Sequence, residues 1–330
     1  MDKFVNALGI DVSKKTLDVY DYAGQLACQF SNCKEGFKQF LKWAKRNNGN
    51  LPQVLVCFEH TGMYSLPLAV YLTEQKWAFA MLPGLEIKRS LGIQRGKSDK
   101  ADAKAIAKYA YLHRDEVRIY KLPSDRILEL KSLLSLREKM VGQRAGYQAT
   151  RREAKAFGST NSKLIVEIQN KLIKELNAHI KSVEQQIKQV IASDAVLKKI
   201  YDLVTSVKGV GLILGTTMMV YTNCFSTFDD WRKFACYCGI VPFPFQSGTS
   251  IRGKQKIHHL ANKRLKALLS NAACTSIQFN PEMKAYYQRR IQEGKSKMST
   301  QNIIRNKIVA RVFAAVQRGT PYVDTLKYAA

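Results

Sequence analysis

The sequence predicts a mixed α/β domain at the N-terminus, a long helical arm, and a mainly α-helical C-terminal domain, with boundaries at 1–120, 121–195 and 196–330. Three observations carry this. Short β-rich runs give way to alternating helix and strand patterns before residue 120. The stretch from Asp125 to about Ala192 holds no proline and little glycine. From Val196 onward, apolar helical periodicity is punctuated by glycine pairs.

The elements follow in order. Phe4–Val12, Thr16–Tyr22 and Gln25–Phe30 read as three strands with tight connections, Tyr22-Ala-Gly-Gln25 being a hairpin turn. Phe37, Phe40, Leu41 and Ala44 place a helix over Gly36–Arg46. Gln53–Phe58 is a continuous apolar run of the kind buried inside a sheet. Leu66–Glu74 is helical, Trp77–Leu82 is another strand, and Asp99–His113 another helix. A three-stranded meander followed by alternating helix and strand is the order of a ribonuclease-H-like domain. In the arm, apolar residues from Leu128 to Val141 and from Leu164 to Ile191 recur three, four or seven apart. That spacing predicts an antiparallel hairpin or coiled coil broken near Gly158-Ser-Thr-Asn161, serving as a plain bundle arm, a dimerisation arm or a grip on nucleic acid.

Charge narrows the function. The formal net charge is +27, from 53 basic and 26 acidic residues, which implies a polyanionic partner. Residues 1–94 are nearly balanced, with 11 basic and 8 acidic groups, so the excess lies beyond them. The most apolar stretch, Val210–Tyr221, is 12 residues, short of the roughly 18–20 that span a bilayer, so no membrane role is expected. The N-terminus enters a strand directly and does not read as a signal peptide. Seven cysteines without zinc-ligand spacing suit a reducing cytoplasm.

In so basic a chain the informative residues are the carboxylates. Asp11 ends the first strand in Gly9-Ile-Asp-Val-Ser-Lys14, and Glu59 ends the Gln53–Phe58 run in Glu59-His-Thr-Gly62. Neighbouring first and fourth strands would bring the two to one sheet edge. Asp99 and Asp102, in Lys97-Ser-Asp-Lys-Ala-Asp102, lie three apart on a helix and face the same way. Taken singly these are a turn former, a turn cap, a helix N-cap and its first-turn partner. Together they would repel one another unless divalent cations neutralised them, and hard oxygen ligands suit Mg²⁺, often as a pair in phosphodiester chemistry.

The C-terminal region offers Lys208-Gly-Val-Gly211 before an apolar helix, a helix-hairpin-helix-like turn in which Gly209 and Gly211 let backbone N–H groups approach a phosphate. Further on, Trp231-Arg-Lys-Phe-Ala235 and Gly239-Ile-Val-Pro242 lead into Ser247-Gly-Thr-Ser-Ile-Arg-Gly253. Ser247 reads by itself as a turn residue with a basic tail. Arg252, Lys254, Lys256, Lys263 and Arg264 could hold phosphates around it, as could Arg95, Lys97 and Lys208 elsewhere; a solvated charged face is the plain alternative.

These motifs resemble the DEDD insertion-sequence transposases related to the Piv DNA invertase, the "one-ten" insertion-sequence family. The resemblance runs in order through nearly the whole chain. It implies a RuvC-like N-terminal domain, a coiled-coil arm and a C-terminal transposase domain carrying the glycine turn and the serine loop. It also implies a composite site, with Asp11, Glu59, Asp99 and Asp102 holding Mg²⁺ (as two ions, Mn²⁺ able to substitute). Ser247, in the same or another subunit, would attack a DNA phosphodiester to form a phosphoserine link. Partners implied are donor and target double-stranded DNA and a structured guide (bridge) RNA, with homodimers assembling to a homotetramer in the nucleoid-associated cytoplasm. The competing readings are a RuvC-like nuclease or junction resolvase in which Ser247 is inert, and a non-catalytic nucleic-acid-binding protein.

Overall fold

The computed structural model describes residues 4–49, 51–90, 98–158, 162–248 and 251–323. Two compact units divide at Leu122/Pro123. The first opens with β1 (Asn6–Val12), β2 (Thr16–Asp21) and β3 (Leu26–Ser31), followed by α1 (Lys34–Asn48), β4 (Val54–Glu59), α2 (Leu66–Glu74), β5 (Phe79–Leu82), α3 (Gly84–Ser90) and α4 (Asp99–Leu112). The strands form one mixed sheet in the order β3-β2-β1-β4-β5, antiparallel from β3 to β1 and parallel from β1 to β5. The first and fourth strands are therefore neighbours.

Alternate faces of the sheet build two apolar layers, as the two-residue side-chain period requires. Leu8, Ile10, Val56 and Phe58 face α1 and α2, while Ala7, Leu55, Cys57 and Ala80 face the side of Ile106 and Ala110 on α4. A side chain at Gly9 would meet the backbone of α4, its Cβ falling 2.2 Å from Ala107 N and 2.3 Å from Ala103 O. The absence of a side chain there lets the helix lie directly on β1. Gly9→Ala is expected to destabilise this unit by about 2–3 kcal/mol, read as a lower denaturant midpoint, because two backbones must separate.

The second unit begins with two long helices, α5 (Asp125–Phe157) and α6 (Ser162–Ala192). Ser124 caps α5 by accepting from Ile127 N, and Gly158 ends it in the left-handed conformation at φ 57°. The helices run antiparallel. Near the base, Ile127, Leu130 and Leu134 pack against Val183, Ile187, Val190 and Ile191, with Leu197 and Met219 completing the cluster. Farther out, around the buried Ile180 and Ile173, the seam also carries polar pairs. Arg137 Nε donates to Glu184 Oε1 at 2.7 Å, Arg144 to Asn177 Oδ1 at 2.8 Å and Arg151 to Asn170 Oδ1 at 2.9 Å. The three arginines are seven residues apart on α5 and their partners seven apart on α6, so one heptad position repeats along the hairpin.

The rest of this unit comprises α7 (Ala195–Thr205), α8 (Leu212–Tyr221), α9 (Trp231–Tyr237), the hairpin β6 (Phe243–Ser247) and β7 (Ile251–Lys256), then α10 (Lys263–Phe279), α11 (Pro281–Gln292) and α12 (Lys297–Arg318). Its core gathers Phe234, Phe313, Leu265, Leu269, Ile304, Ile308 and Met218. The two-stranded hairpin, like α3, is absent from the sequence prediction, which treats the hairpin stretch as a loop. Pro244 cannot donate a ladder hydrogen bond, and the pairing register shifts between Phe243 and Phe245 beside it. Among the described residues, no helix is long and apolar enough to cross a membrane.

Candidate functional site

In the first unit, one end of the sheet collects acid. Asp11 lies near the end of β1 and Glu59 is the last residue of the adjoining parallel strand β4. The side chain of Ser98 accepts from Ala101 N and starts α4, setting Asp99 and Asp102 in its first turn. The helix that carries them is the one resting on Gly9, two residues before Asp11. Glu59, Asp99 and Asp102 are each close enough to act on Asp11. Asp11 is pushed up to about 6, first by burial and then by the charges of Asp102, Asp99, Asp18 and Glu59.

Asp18 is the member that sequence reasoning missed. It pairs directly opposite Asp11 across the β1–β2 ladder, is 4% exposed, and accepts from Gln29 Nε2 at 3.0 Å. The signal was available. A tight connection at Ser13–Lys15 fixes Val12 against Leu17 and hence Asp11 against Asp18. Ser13 holds that connection, its hydroxyl accepting from the backbone N of Lys15 and Thr16.

The residues suit a hard divalent cation by chemistry: oxygen donors, excess negative charge, and a carboxylate whose ionisation its neighbours oppose. Near Glu59, the Thr61 hydroxyl is sealed from solvent without a hydrogen-bond partner. Among the described residues, however, no group of three or more acidic, His or Cys side chains is already drawn together as a coordination sphere. Glu59 itself is steered by Gly84, since a Cβ at that glycine would fall 2.0 Å from Glu59 Oε1. Gly84→Ala therefore displaces the flexible carboxylate rather than the backbone. The variant is expected to keep the wild-type melting temperature while losing about 10- to 100-fold in any activity that needs the Glu59 carboxylate in place, the scale of a misplacement near 1 Å.

The second unit holds the other predicted residues. Ser247 is the final residue of β6, its backbone paired with Ile251, and Gly248 follows at φ 57°. Arg252, Lys254 and Lys256 lie along β7. Gly211 caps α8 with open space around it, whereas Gly209, at φ 94°, is pressed against Ala272 and Ser276 of α10, and Ser276 Oγ donates to Lys208 O at 2.8 Å. Lys263 is exposed at the start of α10. Arg264 is turned to another task, pairing with the Glu138 carboxylate and donating to Leu134 O at 3.1 Å, which ties α10 to α5. Arg95 and Lys97 lie outside the described residues.

A family model described as "Transposase" matches residues 8–154, which include all four predicted carboxylates. A second, described as "Transposase IS116/IS110/IS902 family", matches residues 201–288, from the glycine turn past the serine hairpin. The chain is similar to the pilin gene-inverting proteins of Moraxella bovis and Moraxella lacunata, each 26% identical over 325 residues covering 96% of this chain and 97% of the relative. It is also 29% identical over 122 residues to an uncharacterized 43.6 kDa protein of insertion element IS110 from Streptomyces coelicolor, covering 36% of this chain and 29% of that protein.

Proposed function

We propose, for a chain that belongs to the IS116/IS110/IS902 family of transposases, a DNA recombinase that cuts strands and rejoins them without hydrolysis. The observation that carries this reading is the crowding of Asp11 by Asp102, Asp99, Asp18 and Glu59 in a protein of net charge +27. A DNA-binding protein repels its own ligand at such a spot unless cations bridge the two.

On this reading the N-terminal unit is RuvC-like, the helical hairpin is a coiled-coil arm, and Asp11, Glu59, Asp99 and Asp102 hold Mg²⁺ or Mn²⁺. When bound, the metal supplies charge stabilisation to phosphodiester oxygens. Ser247 is the nucleophile. Its Oγ forms a new P–O ester bond as the strand's own P–O bond breaks; the serine proton departs and the released DNA oxygen is protonated. The bond energy is conserved in the phosphoserine link, so a second strand end reverses the step and joins. Glycine at 248 frees the chain just past the nucleophile to present it. Arg252, Lys254, Lys256, Lys263 and Lys208 neutralise flanking phosphates, together with Arg95 and Lys97. Donor and target duplexes, a structured guide RNA and a homotetramer built from homodimers complete the proposed assembly.

The test is a denaturing-gel assay of purified protein with end-labelled donor and target DNA and its co-purified RNA. A Mg²⁺-dependent DNA–protein adduct that disappears with EDTA is the expected result. Cleavage without an adduct would instead indicate a nuclease with an inert Ser247.

A further inference from the structure

The arginine row along the helical hairpin is unevenly neutralised. Arg137, nearest the base, faces the carboxylate of Glu184. One and two heptads farther out, Arg144 and Arg151 face the neutral amides of Asn177 and Asn170. Neither has a carboxylate within ion-pair distance among the described residues, and Arg144 Nε is shut off from solvent without a partner. Both residues are half-buried rather than enclosed.

An amide accepts a hydrogen bond and orients the guanidinium, but leaves its full charge unspent. A helix carrying seven residues between repeats sets those charges about 10.5 Å apart on a straight seam. The surroundings add to them. Residues 139–177 contain eight basic and three acidic groups, and one of the acids, Glu167, is already paired with Lys171 at 2.9 Å. The contiguous apolar cluster of the arm lies at its base, and farther out the buried apolar side chains of α6 are Ile180 and Ile173.

We propose that the outer half of the hairpin is a backbone grip, in which Arg144 and Arg151, held in register by Asn177 and Asn170, each contact one phosphate of a nucleic-acid duplex. The inference rests on the reading of this chain as a nucleic-acid enzyme, and assigns a binding surface separate from the carboxylate cluster and the serine hairpin. A planar fork preset by a neutral acceptor suits phosphate better than a flexible lysine does.

The full-length protein is titrated by fluorescence anisotropy against a DNA duplex and an RNA duplex of equal length over a series of KCl concentrations. In Arg144→Gln/Arg151→Gln the slope of log K against log salt should become shallower by about 1.8, two phosphates at roughly 0.9 each on duplex DNA. Asn170→Asp/Asn177→Asp should do the same while melting at or above the wild-type temperature, because each arginine gains a carboxylate. Arg137→Gln/Glu184→Gln and the remote pair Lys34→Gln/Lys45→Gln should leave the slope unchanged. Loss on one duplex names the nucleic acid held, and loss on both supports a grip on either. An unchanged slope on both duplexes in the Arg144/Arg151 variant overturns the proposal, as does an equal loss in either control. Wild-type protein with no salt-dependent binding would instead bring down the functional reading itself.

Discussion

Ser247→Ala protein is expected to fold, to bind DNA with wild-type affinity, and to lose strand exchange by at least about 10³-fold, the scale seen when an enzyme loses its nucleophile. The fold should hold because the change removes one oxygen at the end of a two-stranded hairpin. That ladder is made by backbone groups, through pairs such as Gln246 with Arg252 and Ser247 with Ile251. The covalent adduct should vanish with the activity. Adduct formation at wild-type yield in the alanine variant would assign the nucleophile elsewhere. Ser247→Cys provides a finer check: a thiol that attacks phosphorus poorly should leave binding intact and exchange low.

Asp11→Asn is expected to abolish exchange to a similar degree and to make the metal-free protein more stable at neutral pH. The reason lies in the crowding. Asp11 titrates near 6 in the folded chain against an ordinary value of 3.8, so the folded state binds its proton more tightly than the unfolded state. Stability from this group is intact below about pH 4 and is withdrawn as pH rises through the window to about 6, leaving a charge burden above it. The asparagine variant carries no such burden. Its melting temperature should exceed that of the wild type by a few degrees near pH 7.5, and the difference should close near pH 4. Mg²⁺ should raise the wild-type melting temperature at neutral pH and raise that of Asp11→Asn far less. Equal stabilisation of both proteins by Mg²⁺ would remove Asp11 from the metal site.

Much of the first unit could be read from the chain because its signals are local. The order of three strands, helix, strand, helix and strand follows from the two-residue and 3.6-residue periods, and the buried Val54–Phe58 run announces an interior strand. The long helices were legible for the same reason, down to the break at Gly158. What escaped depends on pairing across distance. Asp18 alternates along β2 like any outward residue, and only the register opposite Asp11 makes it part of the cluster. Arg264 sits between Lys263 and Lys266 and reads as one of a basic face, but its partner, Glu138, is more than a hundred residues earlier. The β6–β7 hairpin was hidden by Pro244 and by the Ser247-Gly248-Thr249-Ser250 stretch, which in sequence mark a loop.

The constant spacing of Arg137, Arg144 and Arg151 against Glu184, Asn177 and Asn170 also restricts how this arm can change length. Adding one residue to α5 turns everything beyond it by about 100° and carries the outer arginines off the seam. Adding seven to each helix lengthens the hairpin by about 10.5 Å and leaves every existing rung facing its partner. Arm length is in this sense quantised: matched heptads preserve the ladder, so the reach of the protein can be altered in steps while its base stays untouched.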